Sequence, residues 1–303
     1  MTTTGRNLLA TAEGTSDHPF APLDWGLLTV ATVIWGASFL FIAIGLDALA
    51  PGAVTWFRLL FGFLALAVFP RARRADIPRS EWPRFALLGL VWMAVPMTMF
   101  PLAEQWISSS VAGMLNGALP IFSAIVASIL LRRPPGRAQL AGLAVGLAGV
   151  VAISLPSLRG GSHTALGAAL IVAAMVCYGL STNLVVPLQQ EHGSLPVIWR
   201  SQAAALIATT PFGIVGLAHS TFTLEAMAAV LALGALGTGV AFVAAGALLG
   251  RVGATRGSVV AYLMPVVALV LGVVVRDEAV AAISLVGMVL VLVGAWLVSR
   301  AGR

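Results

Sequence analysis

The sequence predicts an all-α polytopic membrane protein, with ten transmembrane helices arranged as two inverted five-helix repeats. Three observations carry this. Hydrophobic residue types make up 59% of the 303 residues and charged types only 9%, against about 25% in a soluble domain. Apolar runs close to the ~20 residues that a spanning helix needs recur along the whole chain. The two halves of the chain also resemble each other in register. With a mean hydropathy of +1.00, these residues cannot build a polar shell. That excludes a water-soluble enzyme, a disordered chain and, despite a net charge of +6, a nucleic-acid binder.

Residues 1–24 are polar and Thr-rich. They lack the charged, apolar and small-residue order of a signal peptide, and so read as a short cytoplasmic tail. Ten apolar runs follow, at 25–45, 52–70, 84–104, 108–131, 138–155, 164–187, 195–216, 225–249, 254–275 and 279–299. Backbone in hydrocarbon must satisfy its own hydrogen bonds, which leaves helices or a closed barrel. Barrel strands alternate over about ten residues. These runs are longer and uniformly apolar, so they are helices.

Orientation follows from arginine, since the sequence contains no lysine. With both termini in the cytoplasm and sides alternating, thirteen arginines fall inside and only Arg159 and Arg276 outside. Arg58 and Arg200 lie within spans. This is the positive-inside pattern, and it supports an even number of spans. The expected location is therefore a cell (inner) membrane, multi-pass.

A register shift of 145 carries Pro120 onto Pro265, Gly142 onto Gly287 and Gly149 onto Gly294. Nearby shifts carry Trp35-Gly36-Ala37-Ser38 onto Tyr178-Gly179-Leu180-Ser181, and Arg58 onto Arg200. The first repeat then covers 25–155 and the second 164–299, with five spans each. Five is odd, so the second repeat enters the membrane upside down relative to the first. Inverted repeats of this kind build secondary transporters whose substrate site lies near the midplane.

The motifs WGASF, AVTWFRLLFGFL and AEQWISSSVAGMLNGALPIFSAIVASILL, then GLAVGLAGV, with ATRGSVVAYLMPVVALVLGVVVRDEAVAAISLVGMVLVLVGAWL in the second half, resemble the drug/metabolite transporter superfamily in its EamA branch. The resemblance covers roughly 25–299. It implies helices packed around a central cavity and export of small metabolites, amino acids or drugs. One departure is visible. The family often carries an acidic residue after the fourth and ninth spans. Here Asp277-Glu278 follows the ninth, but Arg132-Arg133 follows the fourth.

Candidate substrate-binding residues are Trp35, Ser38, Asn116, Tyr178, Ser181 and Asn183, because aromatic rings give broad contact while hydroxyls and amides orient polar groups. Arg58, Glu104 and Arg200 are candidate gating residues or charge partners, since ionisable groups within spans are costly. Snorkelling to the headgroups is the competing role for the arginines. Glu104 makes the proton a candidate coupling ion. Pro120 and Pro265 are candidate hinges, each removing a helix hydrogen bond at a matched place.

No cofactor or metal is expected. His18, His163, His192 and His219 have no paired ligand spacing, and the Gly-rich GALGTG at 234–239 lies inside an apolar run rather than after a strand. Cys177, the single cysteine, cannot form an intrachain disulfide. The partners are a small-molecule substrate and the lipid bilayer, and both monomer and homodimer fit. Two alternatives remain: a carrier of phosphorylated or nucleotide-linked sugars, and a non-transporting scaffold or intramembrane enzyme.

Overall fold

The computed structural model describes residues 20–73, 77–132, 134–252 and 259–301. Most of the expected 1–24 tail, and Arg133 in the loop after the fourth span, lie outside the described residues. Among the described residues every regular element is helical.

Helix α1 (Pro22–Leu46) starts on proline, and the Asp24 carboxylate accepts a hydrogen bond from the Ala21 N–H at 2.9 Å. Both features suit a helix start. Helix α2 (Pro51–Ala67) also opens on proline. Its 17 residues span about 25 Å, short of the expected 52–70. A separate helical turn, Pro70–Arg73, follows. Helix α3 (Arg79–Ala103) is one span containing a π-helical stretch at Leu90–Ala94.

The fourth span is broken. Helices α4a (Ser109–Asn116) and α4b (Leu119–Leu130) meet at 41°. The remaining spans are α5 (Arg137–Arg159), α6 (Ser162–His192), α7 (Ser194–Ala218), α8 (Leu224–Leu248), α9 (Val259–Arg276) and α10 (Ala282–Ala301). Helix α8 contains a second π-helical stretch, Ala235–Val240. Eight helices are individually long and apolar enough to cross a bilayer. With α2 and the broken α4 they make the ten expected segments. Large apolar side chains such as Ile207 and Val274 point outward, as a lipid-facing surface requires.

The packing has two-fold character. Helix α1 packs on α8 and α9, and α6 packs on α3 and α4b. Helix α2 packs on α7 and α8, and α7 on α2 and α3. Helices α4a and α9 pack together, as do α5 and α10. Exchanging each helix for the one five places on turns this set of contacts into itself.

The glycines show the same symmetry in detail. A Cβ on Gly149 would lie 2.6 Å from the Gly287 carbonyl oxygen, and one on Gly294 2.7 Å from that of Gly142. In the 145-residue register, each contact is the other with the repeats exchanged. Small residues let helix backbones touch where lipid supplies no hydrophobic drive between them. Gly36 and Gly179 serve the same purpose. A Cβ on Gly36 would meet Val267 Cβ at 2.5 Å, and one on Gly179 would meet the Phe122 carbonyl oxygen at 2.8 Å. Val267 is the register equivalent of Phe122. The π-helical stretches are also about 145 residues apart. Arg132 and Asp277, which follow α4b and α9, both have φ of 51°, a left-handed conformation that non-glycine residues rarely adopt.

The prolines depart from this symmetry. The bend in the fourth span lies at Gly117–Ala118, and Pro120 sits in the first turn of α4b, where a missing N–H costs nothing. Pro265 lies inside the continuous α9. The expected pair of matched kinks is therefore a matched pair of prolines with one break. Gly117 lies against Pro265, with its Cβ position 2.7 Å from the ring Cγ.

Candidate functional site

At one end of the bundle the turns after α1, α3 and α9 converge around a cleft of about 370 Å³. Asp47, Glu104, Ile107, Ser109, Arg276 and Glu278 are among its walls. Two polar links join the repeats there. Arg276, the last residue of α9, forms a bidentate ion pair with Asp47, its Nη2 donating to Oδ1 at 3.0 Å. Glu278 caps α4a. One of its oxygens accepts from the N–H and hydroxyl of Ser109 at 2.9 and 2.8 Å, and the other from the N–H and hydroxyl of Ser110 at 2.8 and 2.5 Å. The left-handed Asp277 next to it turns the chain back toward α4a. Burial alone would raise the Glu278 pKa, but the four hydrogen bonds outweigh it and hold the carboxyl below its usual value. The field of the α4a N-terminus acts in the same direction.

Glu104 follows α3 in the same cleft. Both of its carboxylate oxygens are buried without a hydrogen-bond partner. Arg58, on α2, is only 8% exposed, and its Nε is also buried and unpartnered. Arg58 lies within electrostatic range of Glu104 and of Tyr178 on α6, yet among the described residues it forms no ion pair. Glu104 in turn senses Glu278 and Arg276. Phe100 joins this region, packing on Phe39 at 5.6 Å and on Tyr178 at 6.1 Å between ring centroids.

The other expected residues fall elsewhere. Trp35 donates through Nε1 to the Gly237 carbonyl at 2.8 Å, within the α8 π-helical stretch, and packs edge-on against Phe242. Phe242 also contacts Trp92, in the α3 π-helical stretch. Trp35 and Tyr178 match in sequence but belong to different side-chain clusters. Ser38 bonds to the Ile34 carbonyl and Ser181 to that of Tyr178. Asn183 bonds to the carbonyls of Gly179 and Ser123. These three side chains are engaged with backbone. Asn116, 6% exposed, makes no side-chain hydrogen bond among the described residues. Arg200 donates to the Ala72 carbonyl at 3.2 Å, which places it beside the Pro70–Arg73 turn and away from Arg58. At that end Arg251 pairs with Asp24.

Sequence reasoning missed several features. The Glu278 cap was one, although the Ser108-Ser109-Ser110 run before an apolar stretch is a helix-start signal. It also missed Gln202 and Thr238, which are fully buried and packed around Gly62. The π-helical stretches carried no signal beyond the glycines of 234–239.

The model of the EamA-like transporter family matches residues 25–155 and 165–300. Among curated relatives, a "probable terminal-alkyne amino-acid exporter" of Streptantibioticus cattleyicolor is 28% identical over 280 residues, covering 91% of this chain and 93% of that protein. A "probable amino-acid metabolite efflux pump" of Escherichia coli K12 is 27% identical over 297 residues, covering 90% and 94%. A solved crystal structure superposes with a TM-score of 0.59 at 18% identity, covering 92% of this chain and 98% of that one, which speaks to the fold alone. With both repeats matched and the inverted packing in place, this chain belongs to the EamA-like transporter family.

Proposed function

We propose that the chain is a secondary carrier that exports small amino-acid-like metabolites by alternating access, with both termini in the cytoplasm. Membership in the family makes it a multi-pass membrane transporter rather than an enzyme. The relatives' names support the substrate class, and the arginine distribution supports the orientation. The observation that carries the mechanism is the placement of polar links between the repeats at both ends of the bundle. Asp47–Arg276 and Glu278 with Ser109 and Ser110 tie one end, and Asp24–Arg251 ties the other. Releasing one set while keeping the other opens the pathway to one side at a time.

The phosphorylated-sugar alternative needs several basic groups in the interior. Arg200 is engaged beside Ala72, which leaves Arg58.

The test is reconstitution into liposomes with a metabolite panel, run with and without a pH gradient. The expected result is saturable movement of amino-acid-like compounds. Acceleration by the gradient assigns proton coupling, and indifference to it removes coupling. Absence of movement for every compound, with folded protein in the bilayer, overturns the carrier reading.

A further inference from the structure

Two buried ionisable groups of opposite sign lie within electrostatic range of each other and, among the described residues, form no ion pair. Arg58 is 8% exposed, with Nε unpartnered, and both Glu104 oxygens are unpartnered. Each senses the other's charge. A buried ionic group with neither a counter-ion nor hydrogen bonds is costly, and a close pair would normally form. The neighbouring charges do not relieve them. Glu278 spends its two oxygens on Ser109 and Ser110, Arg276 is held by Asp47, and Asp47 by Arg276. Tyr178 faces Arg58 from α6 but carries no charge in its ordinary phenol form. The arrangement is incomplete in a specific way: it presents one donor group and one acceptor group, separated, beside the aromatic surface of Phe39, Phe100 and Tyr178.

We infer that Arg58 and Glu104 form a two-point site for a small zwitterion, the guanidinium receiving a carboxylate and the Glu104 carboxylate receiving an ammonium group, as in a free α-amino acid. The guanidinium offers paired donors that match a carboxylate. The ammonium offers the donors that Glu104 lacks. The assignment deepens the carrier reading above, but as a statement about binding it stands apart from transport.

The test uses the purified full-length chain in lipid nanodiscs, with the twenty proteinogenic L-amino acids as probes. Binding is read by thermal shift and calorimetry. The tightest binder is then compared with its deaminated acid and its decarboxylated amine. The expected result is that the amino acid binds at least about 30-fold more tightly than either fragment, the scale of losing one buried charged contact. Arg58→Gln then erases the preference for the amino acid over the amine, Arg58→Lys restores part of it, and Glu104→Gln erases the preference over the acid.

Failure of all twenty amino acids to bind the folded wild type overturns the inference. So does either fragment binding as tightly as the parent, or wild-type affinity in both variants. If an Arg58 variant does not fold, the Glu104→Gln comparison decides. A chain that binds as described but moves nothing in liposomes refutes transport and leaves this site intact. One that transports without regard to the two charges refutes only the site.

Discussion

Replacing Glu278 with glutamine removes the charge that joins the second repeat to the N-terminus of α4a, while nearly preserving its shape. The carboxylate accepts four hydrogen bonds, two from Ser109 and two from Ser110. Glutamine retains one acceptor oxygen, which serves one serine. Its NH2 then faces the other serine's N–H and that bond is lost, while the serine hydroxyl turns to accept from the NH2 and loses its charge-assisted character. Each charge-assisted bond is worth about 1.5–3 kcal/mol, and the helix N-terminus adds about 0.3–1 kcal/mol for a negative charge. The cleft admits water, which replaces part of the loss. A net cost of about 2 kcal/mol to closure of this end is expected, or roughly 30-fold in the ratio of closed to open.

Ala43 lines the cleft and differs from cysteine by a single sulfur atom. With Cys177 changed to Ser, Ala43→Cys reports opening through its rate of modification by an impermeant maleimide. Glu278→Gln should raise that rate by an order of magnitude or more in folded protein. An unchanged rate would refute the idea that this carboxylate holds the end closed. The pH dependence has a definite sign. The folded-state value lies below the ordinary one, so the contribution to closure is complete above the ordinary glutamate value and is lost as pH falls through the lower folded value. Acid should raise the labelling rate of the parent more than that of the glutamine variant.

Gly149→Ala places a methyl group 2.6 Å from the Gly287 carbonyl oxygen and from the Val291 nitrogen. Backbone cannot yield as a side chain would, so α5 and α10 must separate at a cost of about 1–3 kcal/mol, seen as a lower unfolding temperature in detergent. Gly26→Ala, where nothing lies within 4 Å, should not lower it, since alanine is the better helix former. Trp35→Ala and Tyr178→Ala should reduce transport more than folded yield, and equal loss of both would assign these rings to packing. Pro120→Ala combined with Pro265→Ala should slow transport at normal expression, whereas wild-type rates would remove the hinge role.

The legibility of this chain divides along a physical line. The ten segments could be read because hydrocarbon forces long apolar runs. The repeat could be read because proline and glycine keep their register across 145 residues. Helix faces could not be read, because both lipid and neighbouring helices accept Leu, Val and Ala, so α6 and α7 carry almost no periodic signal. The break in the fourth span was also hidden. Gly117-Ala118 is as apolar as its surroundings, and Pro120 drew attention two residues beyond the bend. Among the candidate residues, Arg58 and Glu104 could be named because charge in a span is conspicuous, but their common location is a tertiary fact. Ser38, Ser181 and Asn183 looked equally suitable, yet each bonds to a carbonyl of its own helix within four residues. Short polar side chains on a helix have that outlet wherever they sit.

The same reasoning ranks the polar residues by what they have left to offer. In a bundle without a hydrophobic drive between helices, glycine contacts set how closely the repeats can approach and polar links bias which end stays shut. A group already committed to either task cannot also hold a solute without releasing its partner. Glu278, Arg276 and Asp47 are committed at one end, and Asp24 and Arg251 at the other. Arg58 and Glu104 are ionisable and have no such commitment among the described residues. A passing solute can bind between them without first breaking the closures that alternating access depends on.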